Sequence, residues 1–420
     1  MDIFDLAIIG AGPAGLAAAR RLAGTSRAVA LVDGGKPVEE RDRYTAADMT
    51  RGHGGAGLFS DGKFSFFPSA SALWTLPRTS DLHAAYAWTC ELLGSYGLDT
   101  PPFPDDPDAY SVGTGEWVLK EYPSDYLSLE ARLRLTADLA AATDASVLTE
   151  TEVVHAAYDA ATDSFRLSLR DSKGQDSEMT ARRLVLASGR FGPLGLQSLT
   201  RQRTFRRLEV GFRIEQPADD AFFKDMRQLD PKLRFRENDG TVEWRTFCAC
   251  RQGEAALTET QGLWTVSGRS DCPATGRSNV GFNTRILDEA VAARAMAPAL
   301  TAMADEESYF SVPMKALTAG VPEAVDTFDR VYGPELREIM VRGLSRLAAA
   351  YPTVRGSGTR LIGPTLEGVG WYPRVDGDLR LLDAPAWIAG DACGLFRGIV
   401  AAMISGHYAA DSAIRELESL

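Results

Sequence analysis

The sequence predicts an α/β fold in which a discontinuous domain with a parallel sheet carries an inserted, mainly antiparallel β (α+β) domain. Three stretches predict the parallel sheet: a strand, glycine-rich turn and helix open the chain, an apolar strand ending in Ser-Gly lies near its middle, and a strand, glycine-containing loop and helix close it. Because these stretches build one domain, the blocks between them are expected to be insertions. Apolar and polar residues alternate in short runs from 205 to 283, which indicates a half-buried antiparallel sheet.

The first stretch has the spacing of a dinucleotide-binding turn. The run Leu6–Ile9 is apolar, and Gly10, Gly12 and Gly15 follow it as GxGxxG. These glycines permit a tight turn, close approach of the backbone to a pyrophosphate, and close packing of helix on strand. A second strand ends in Asp33, where a carboxylate accepts hydrogen bonds from ribose hydroxyls. The pattern predicts a Rossmann-like site with the cofactor contacts Gly10, Gly12, Pro13, Ala14, Gly15, Asp33 and Gly34.

The closing stretch resembles the last motif of the two-dinucleotide-binding flavoproteins. Its strand, residues 386–389, leads into Gly390 and Asp391 and then into a helix from about Ile399. The resemblance implies FAD: the aspartate would bond the ribityl chain or pyrophosphate, and the helix N-terminus would stabilise the negative charge of reduced flavin. The cofactor contacts expected from this closing stretch are Gly390, Asp391, Arg397, Gly398 and Ile399. The end of the middle strand adds Ser188 and Gly189, and the hairpin before that strand adds Val153 and Val154.

A glycine-rich segment, Arg51–Phe66, follows the second strand, and its backbone is expected to turn tightly. It resembles a loop of a group of uncharacterised FAD-dependent dehydrogenases. The segments Glu209–Pro217, Trp244–Glu254 and Val266–Asn283 resemble the same group in the same order, so the resemblance covers nearly the whole chain. It implies that the loop contacts FAD through His53, Gly54, Gly55, Ala56, Gly57, Ser60, Asp61, Gly62 and Lys63.

His53 departs from the pattern of that group. A histidine beside glycines that contact flavin invites the hypothesis of covalent FAD attachment. The alternative is a hydrogen bond to phosphate or ribityl oxygens, which is favoured because histidine is a versatile hydrogen-bonding group. Non-covalent FAD is therefore the expectation.

The candidate catalytic residues are those that could take a proton or hold a charged substrate. A bound flavin carries the redox step, whereas the protein supplies orientation and charge. Hydride removal needs a base for the companion proton or a cation that holds a carboxylate. Arg213 and Arg245, on the predicted antiparallel sheet, could clamp an acidic substrate. The catalytic candidates are Lys63, Arg245, Tyr372 and Glu367.

The predicted activity is that of a dehydrogenase or oxidase that moves a hydride from a small organic substrate to flavin N5. No second GxGxxG follows a strand after residue 35, so the electrons are expected from the substrate or from transiently bound NAD(P)H. The alternatives are an NAD(P)H-fed reductase of an unsaturated substrate or a flavin monooxygenase and, more remotely, a flavoprotein acting on tRNA or membrane lipid. The sequence leaves the substrate and the oligomeric state open.

The composition of the chain limits which partners it is expected to bind and in which cellular compartment it is expected to act. The net charge of −12 argues against nucleic-acid binding, which requires a basic surface. The five scattered cysteines indicate a reducing compartment, and the CxC pair Cys248 and Cys250 is interpreted as packing rather than redox chemistry. With neither a leader-like N-terminus nor an apolar run of about 18 residues, the expected location is the cytoplasm, with no membrane partner. The histidines form no metal-ligand set, so no metal site is expected.

The predicted domain boundaries follow from these stretches. They divide the chain into 1–75 (first part of the FAD-binding domain), 76–115 (helical and loop insertion), 116–204 (second part of the FAD-binding domain), 205–355 (substrate domain) and 356–420 (closing part of the FAD-binding domain).

Overall fold

The computed structural model describes residues 3–107, 113–195 and 198–420, so residues 108–112 of the predicted insertion lie outside the described residues. The strands that it describes are β1 (Ile3–Ile9), β2 (Val29–Val32), β3 (Lys63–Ser65), β4 (Val118–Lys120), β5 (Ser124–Tyr126), β6 (Ser146–Leu148), β7 (Thr151–Asp159), β8 (Ser164–Asp171), β9 (Asp176–Leu186), β10 (Arg203–Pro217), β11 (Lys232–Arg236), β12 (Val242–Cys250), β13 (Glu254–Thr260), β14 (Leu263–Arg269), β15 (Arg277–Ile286), β16 (Phe310–Pro313), β17 (Arg360–Pro373) and β18 (Ala386–Ile388).

The α-helices pack on these strands. They are α1 (Pro13–Leu22), α2 (Thr79–Ser95), α3 (Leu129–Ala141), α4 (Gly192–Gly195), α5 (Glu289–Met303), α6 (Met314–Thr318), α7 (Pro322–Ala350) and α8 (Ile399–Glu418).

The first sheet is the parallel one that the sequence predicts. β1 lies between β2 and β9 and is parallel to both, with Ile8 opposite Leu31 on one side and Val185 on the other. β18 extends the parallel set beside β9, and β6 extends it beside β2. β8 pairs antiparallel with both β9 and β7, so among the described strands of this sheet β8 alone runs opposite to the rest. The parallel strands therefore all end at the same edge, where the loops that follow them converge.

The second sheet is antiparallel throughout, in the order β16-β17-β10-β15-β12-β11-β4. Helices α5 and α7 cover one face of it, where Phe212 contacts Phe282 and Phe328. α7 bends at Gly333, whose φ is 76°. The fold class is thus confirmed: a parallel sheet assembled from separate segments is combined with an antiparallel sheet.

Three strands pair in a sheet that their position in the chain does not indicate. β4, within 116–204, and β17, within 356–420, belong to the second sheet. β14, expected in the antiparallel sheet, pairs with β13 as a separate hairpin. The physical reason is that hydrophobic pattern identifies a strand but not its partner, which only tertiary pairing decides.

Helices α1 and α8 approach each other closely because a glycine lies between them. A Cβ built on Gly406 of α8 would lie 2.0 Å from the carbonyl oxygen of Ala14. A Cβ on Gly15 would lie 1.7 Å from the carbonyl oxygen of Gly10. These contacts hold the first turn of α1 against both its own strand and the N-terminal half of α8.

The substitution Gly406→Ala should separate the two helices. We expect the free energy of unfolding to fall by about 1–3 kcal/mol, because an added methyl group overpacks the contact. Gly94→Ala in α2 is the matched control, since a Cβ there meets nothing within 4 Å. That variant should gain about 0.5–1 kcal/mol. Urea denaturation followed by circular dichroism measures both, and equal losses in the two variants would contradict the prediction.

Candidate functional site

The functional site begins where the parallel strands end. β1, β2, β9 and β18 are followed by Gly10, Asp33, Ala187 and Ala389 at one edge of the sheet. A cavity of about 800 Å³ opens at this edge and continues to the second sheet. Ligands of parallel α/β sheets bind outside the carboxyl ends of the strands, which makes this cavity the candidate site.

The turn after β1 requires glycine. Gly10 has a φ of 104°, and a Cβ there would lie 2.4 Å from the carbonyl oxygen of Ala187 at the end of β9. Gly12 is the N-cap of α1 and supplies no side-chain cap to the helix. The first N–H groups of α1 are therefore left for a ligand at the cavity wall, where helix geometry favours an anion.

Asp33 ties this turn to the end of β2. Its carboxylate accepts hydrogen bonds from the backbone N–H of Ala11 at 2.6 Å and of Gly35 at 2.8 Å. Asp33 also lines the cavity. Each carboxylate oxygen has a second lone pair, so the residue can still accept a hydrogen bond from a ligand hydroxyl.

The glycine-rich loop lies directly against this turn. A Cβ on Gly55 would lie 3.1 Å from the Cα of Gly12, and the N–H of Gly54 donates to the carbonyl oxygen of Ala11 at 2.9 Å. The buried Arg41, which the sequence analysis missed, holds the loop by donating to the carbonyl oxygens of His53 and Gly55. Burial lowers the pKa of Arg41 to about 10, so it remains a cation.

His53 does not line the cavity, although it lies in this loop. Its side chain is buried, and Nε2 has no hydrogen-bond partner among the described residues. Burial lowers its pKa, which favours the neutral imidazole. The structure therefore does not place His53 in position either to contact a cofactor in the cavity or to attach one covalently.

The closing segment brings a second helix N-terminus to the same cavity. α8 begins at Ile399 after Gly398, an N-cap with no side-chain cap and a φ of 110°. Arg397 donates to Asp391 with 2.8 Å between Nε and Oδ2. Asp391 Oδ1 and the hydroxyl of Ser188 are buried without a hydrogen-bond partner in the described parts of the chain. Both residues line the cavity, so a ligand there can pair with these atoms.

The far end of the cavity rests on the second sheet, where one carboxylate organises several arginines. Glu209 is 0% exposed. It lies 2.9 Å from Arg207 and 3.0 Å from Arg285, and it is also paired with Arg245. Burial alone would raise the pKa of Glu209, but Arg245, Arg285 and Arg207 outweigh it and lower the pKa well below its usual value. Glu209 is thus held as a carboxylate.

The four catalytic candidates are not brought together as a group. Lys63, Arg245 and Glu367 line the cavity, but Tyr372 does not. Tyr372 is 1% exposed, and its hydroxyl accepts a hydrogen bond from the N–H of Val369. It is therefore a buried residue of β17 that lies outside the cavity wall.

Lys63 and Glu367 are each held by charged neighbours. The ammonium of Lys63 lies 3.1 Å from Asp61. Burial lowers the pKa of Lys63, but Asp61 and Asp230 outweigh this and raise it above its usual value. Glu367 lies 2.5 Å from Arg190 and 2.7 Å from Arg397.

Most of the cofactor contacts expected from the sequence do line the cavity. Four of them face other parts of the protein: Gly15 packs on β1, Gly54 faces α3, Gly62 faces β5, and His53 is enclosed by its loop. The remaining predicted contacts form the wall: Gly10, Gly12, Pro13, Ala14, Asp33, Gly34, Gly55, Ala56, Gly57, Ser60, Asp61, Lys63, Val153, Val154, Ser188, Gly189, Gly390, Asp391, Arg397, Gly398 and Ile399.

The hairpin β13–β14 is the part of the wall that the sequence analysis did not assign. It lies across the cavity because Thr50 donates to the carbonyl oxygen of Glu259 at 2.7 Å and Gln261 donates to that of Ser188 at 3.2 Å. Hydroxyl residues recur on its inner face at Thr258, Thr265 and Ser267. This alternation of hydroxyl side chains is the feature of the sequence from which a polar cavity wall could have been predicted. The other unassigned wall residues include Arg51, Arg190, Asp230, Lys232, Phe247 and Cys248.

Metal-ligand clusters and membrane-spanning helices are both absent from the described residues. They contain no group of three or more His, Cys, Asp or Glu side chains arranged to hold a metal ion. None of the described helices has the length and apolar character needed to cross a membrane.

Comparisons with known proteins give distant structural likenesses. No protein-family model matches the chain, and no curated protein matches it. Among solved structures it is similar to a flavoprotein/dehydrogenase from Cytophaga hutchinsonii (14% identity, TM-score 0.48, covering 100% of this chain and 79% of that one). It is also similar to a geranylgeranyl bacteriochlorophyll reductase-like protein from Thermoplasma acidophilum (12% identity, TM-score 0.42, covering 100% of this chain and 80% of that one). A third similar structure is an unusual amino acid oxidase essential for nikkomycin biosynthesis (14% identity, TM-score 0.43, covering 99% of this chain and 95% of that one).

The substitution Glu209→Gln should strongly destabilise the protein at neutral pH. It leaves the buried Arg245 and the half-buried Arg207 and Arg285 without their shared counter-charge, and we expect a loss of about 3–5 kcal/mol in the free energy of unfolding. Because the folded-state pKa of Glu209 is lowered, its contribution is present above the unfolded pKa, about 4.3, and disappears as the pH falls through the folded value. The difference between variant and wild type should therefore shrink below about pH 4.

Urea denaturation at several pH values measures this difference. The control is Asp176→Asn, which removes an exposed partner of Arg170 and should leave stability unchanged. A Glu209→Gln variant as stable as wild type at neutral pH would show that the carboxylate does not organise the arginines.

Proposed function

We propose that this protein is an FAD-dependent oxidoreductase that removes a hydride from a small organic substrate onto flavin N5. The observation that carries the proposal is a single cavity with two uncapped helix N-termini, those of α1 and α8, in its wall. Asp33 lies beside the first and Asp391 beside the second. A ligand that suits this arrangement has anionic phosphates at one part and a ring system that becomes anionic at another, as FAD does.

The residues present fit this cofactor. Asp391 Oδ1 and the Ser188 hydroxyl lack partners among the described residues, and only the backbone Cα of Gly55 comes within 4 Å of the position that a Cβ on Gly12 would take. The α1 turn would hold the pyrophosphate, Asp33 the ribose, and Val153 or Val154 the adenine. Asp391, Arg397 and the α8 N-terminus would hold the flavin half, and FAD, when bound, supplies a two-electron acceptor. The volume of about 800 Å³ lies within the range of cofactor sites.

The charged neighbours of each candidate residue in the cavity wall indicate what that residue can do. Lys63 has a raised pKa, so it remains a cation that can hold an anionic group but cannot accept a proton. Arg245 is likewise a cation and is engaged by Glu209. Glu367 is held by two arginines and would position them rather than act as a base.

Lys232 is the better candidate for proton transfer. It lines the cavity 3.8 Å from Asp230. Burial lowers the pKa of Lys232, and although Asp230 opposes this, Arg245 and Arg285 add to it, so the pKa falls to about 8. A lysine with that pKa is partly neutral near physiological pH and can accept the proton that accompanies hydride removal.

We expect FAD to be bound non-covalently and to depend on Asp391 but not on His53. Asp391→Ala removes a charged hydrogen-bonding group worth about 1.5–3 kcal/mol, so the dissociation constant for FAD should rise roughly 10- to 100-fold. His53→Gln, the matched control from the glycine-rich loop, should retain wild-type affinity because His53 does not line the cavity. Fluorescence titration of the apoprotein measures both.

Acid precipitation tests the mode of attachment in the same preparations. Free FAD in the supernatant is the expected result. Flavin that stays with the precipitated wild-type protein but not with His53→Gln would overturn the prediction and establish a covalent link.

The proposed source of electrons is tested by mixing the FAD-loaded protein anaerobically with NADPH and then with NADH. The visible flavin band should persist, because in this proposal the organic substrate donates the hydride. Rapid bleaching would overturn the proposal that the organic substrate donates the hydride, and it would favour a nicotinamide-fed reductase. Bleaching that requires an added aromatic substrate would favour a monooxygenase. A protein that binds no FAD would overturn the proposed function itself.

A further inference from the structure

Two cysteines lie where the second sheet meets the cavity. Cys248 and Cys250 are at the end of β12, and Cys248 lines the cavity while Cys250 is buried directly behind it. The pairing of β12 with β15 is interrupted by a bulge between Phe247 and Cys250. Cys248 has a φ of 51°, a left-handed conformation that is costly for a residue with a Cβ. The bulge redirects the chain at the position where the two thiols occur.

The Cys250 thiol lies against the backbone of Cys248. Cys250 Sγ is 3.6 Å from the carbonyl oxygen of Cys248. Residues two positions apart have Cα atoms at most roughly 7 Å apart. A disulfide joins Cα atoms about 4.4–6.8 Å apart, so a bent CxC segment is within reach of one.

A buried guanidinium accompanies the pair. Arg213 is 1% exposed and donates to the amide oxygen of Asn279 and to the carbonyl oxygen of Cys248, both at 2.5 Å. Its Nη2 lies 3.7 Å from Cys250 Sγ. The described residues give it no ion pair with a carboxylate, so the nearest group that can carry a compensating charge is a thiolate.

Gly268 of β14 makes room for this arrangement. A Cβ at that position would lie 2.3 Å from Arg213 Nη2 and 2.7 Å from Cys250 Sγ. Any other residue would displace either the cation or the sulfur.

The electrostatics distinguish Cys250 from the other cysteines. The neighbouring Cys248 thiol, together with Arg213 and Lys63, outweighs burial and lowers the pKa of Cys250 below its usual value. By contrast, burial raises the pKa of Cys393 to about 12 and raises that of Cys90. A low-pKa thiolate beside a second thiol is the arrangement found in reactive cysteine pairs, whereas packing requires neither a cation nor an unfavourable backbone conformation.

We propose that Cys248 and Cys250 are a redox-active dithiol that forms an intrachain disulfide and exchanges two electrons with the flavin of the proposed function, on which this inference rests. In the oxidative direction the S–S bond forms between Cys250 thiolate and Cys248 thiol. The S–H bond of Cys248 breaks, and its proton and the two electrons pass to oxidised FAD, giving the singly protonated reduced anion. The reverse reaction returns both electrons to the disulfide.

Thiol counting in the wild-type protein tests whether the disulfide exists. The FAD-loaded enzyme is equilibrated with excess ferricyanide, separated from it and unfolded in guanidinium with an alkylating reagent. Three of the five cysteines should be alkylated, and the peptide containing residues 248–250 should have lost two hydrogens. After anaerobic dithionite treatment all five should be alkylated. Five free thiols in the oxidised enzyme would overturn the proposal, without any variant being needed.

Anaerobic dithionite titration tests whether the pair communicates with flavin. Wild type should take up four electrons per flavin, Cys250→Ser two, and the matched control Cys90→Ser, in α2, four. Uptake of two electrons by every protein would overturn the electron exchange and leave the proposed function intact. A protein that forms the disulfide but binds no FAD would instead overturn the proposed function, and with it the role of flavin as the partner of the dithiol.

Discussion

The parallel pairing of β1 with both of its neighbours is the constraint on which the rest of the structure depends. It aligns the ends of β1, β2 and β9 so that the glycine turn, Asp33 and Ser188 lie at one edge. The turn fits there only because Gly10 has no side chain, since the carbonyl oxygen of Ala187 occupies the space where one would be. Gly406 then brings α8 against α1, which places two helix N-termini at one cavity.

The second sheet contributes charge rather than cofactor-binding backbone. Glu209 is the shared counter-charge of Arg207, Arg245 and Arg285 and lies 3.9 Å from Arg397, which also pairs with Glu367 and Asp391. In a protein whose net charge is −12, the end of the cavity opposite the glycine turn is thus rich in buried cations. The arginines keep Glu209 ionised. Arg245 and Arg285 add to burial in lowering the pKa of Lys232, and Arg213 and Lys63 add to the neighbouring Cys248 in lowering the pKa of Cys250.

Whether the sequence predicted a residue's position correctly depends on whether that position is set by neighbours in the chain or by residues far from it in sequence. The glycines of the first turn and the start of α8 at Ile399 were predicted correctly, because each depends on neighbours within a few residues. Tyr372 was assigned to the site and Lys232 was not, although both lie on strands of the same sheet. Alternation along a strand indicates two faces, but it does not show which face meets a cavity formed by another part of the chain.

The sequence by itself determined the parallel-sheet elements, the glycine turn, Asp33 and the closing Gly390-Asp391 motif, because φ/ψ requirements and strand–turn–helix periodicity are local properties. Only the tertiary structure decided that β17 joins the second sheet, that His53 turns away from the cavity, and that Arg213 lies beside Cys250. Those outcomes depend on contacts between residues far apart in the chain, whose partners no local pattern specifies. The chemistry of this site is therefore decided by which distant charges the fold places together.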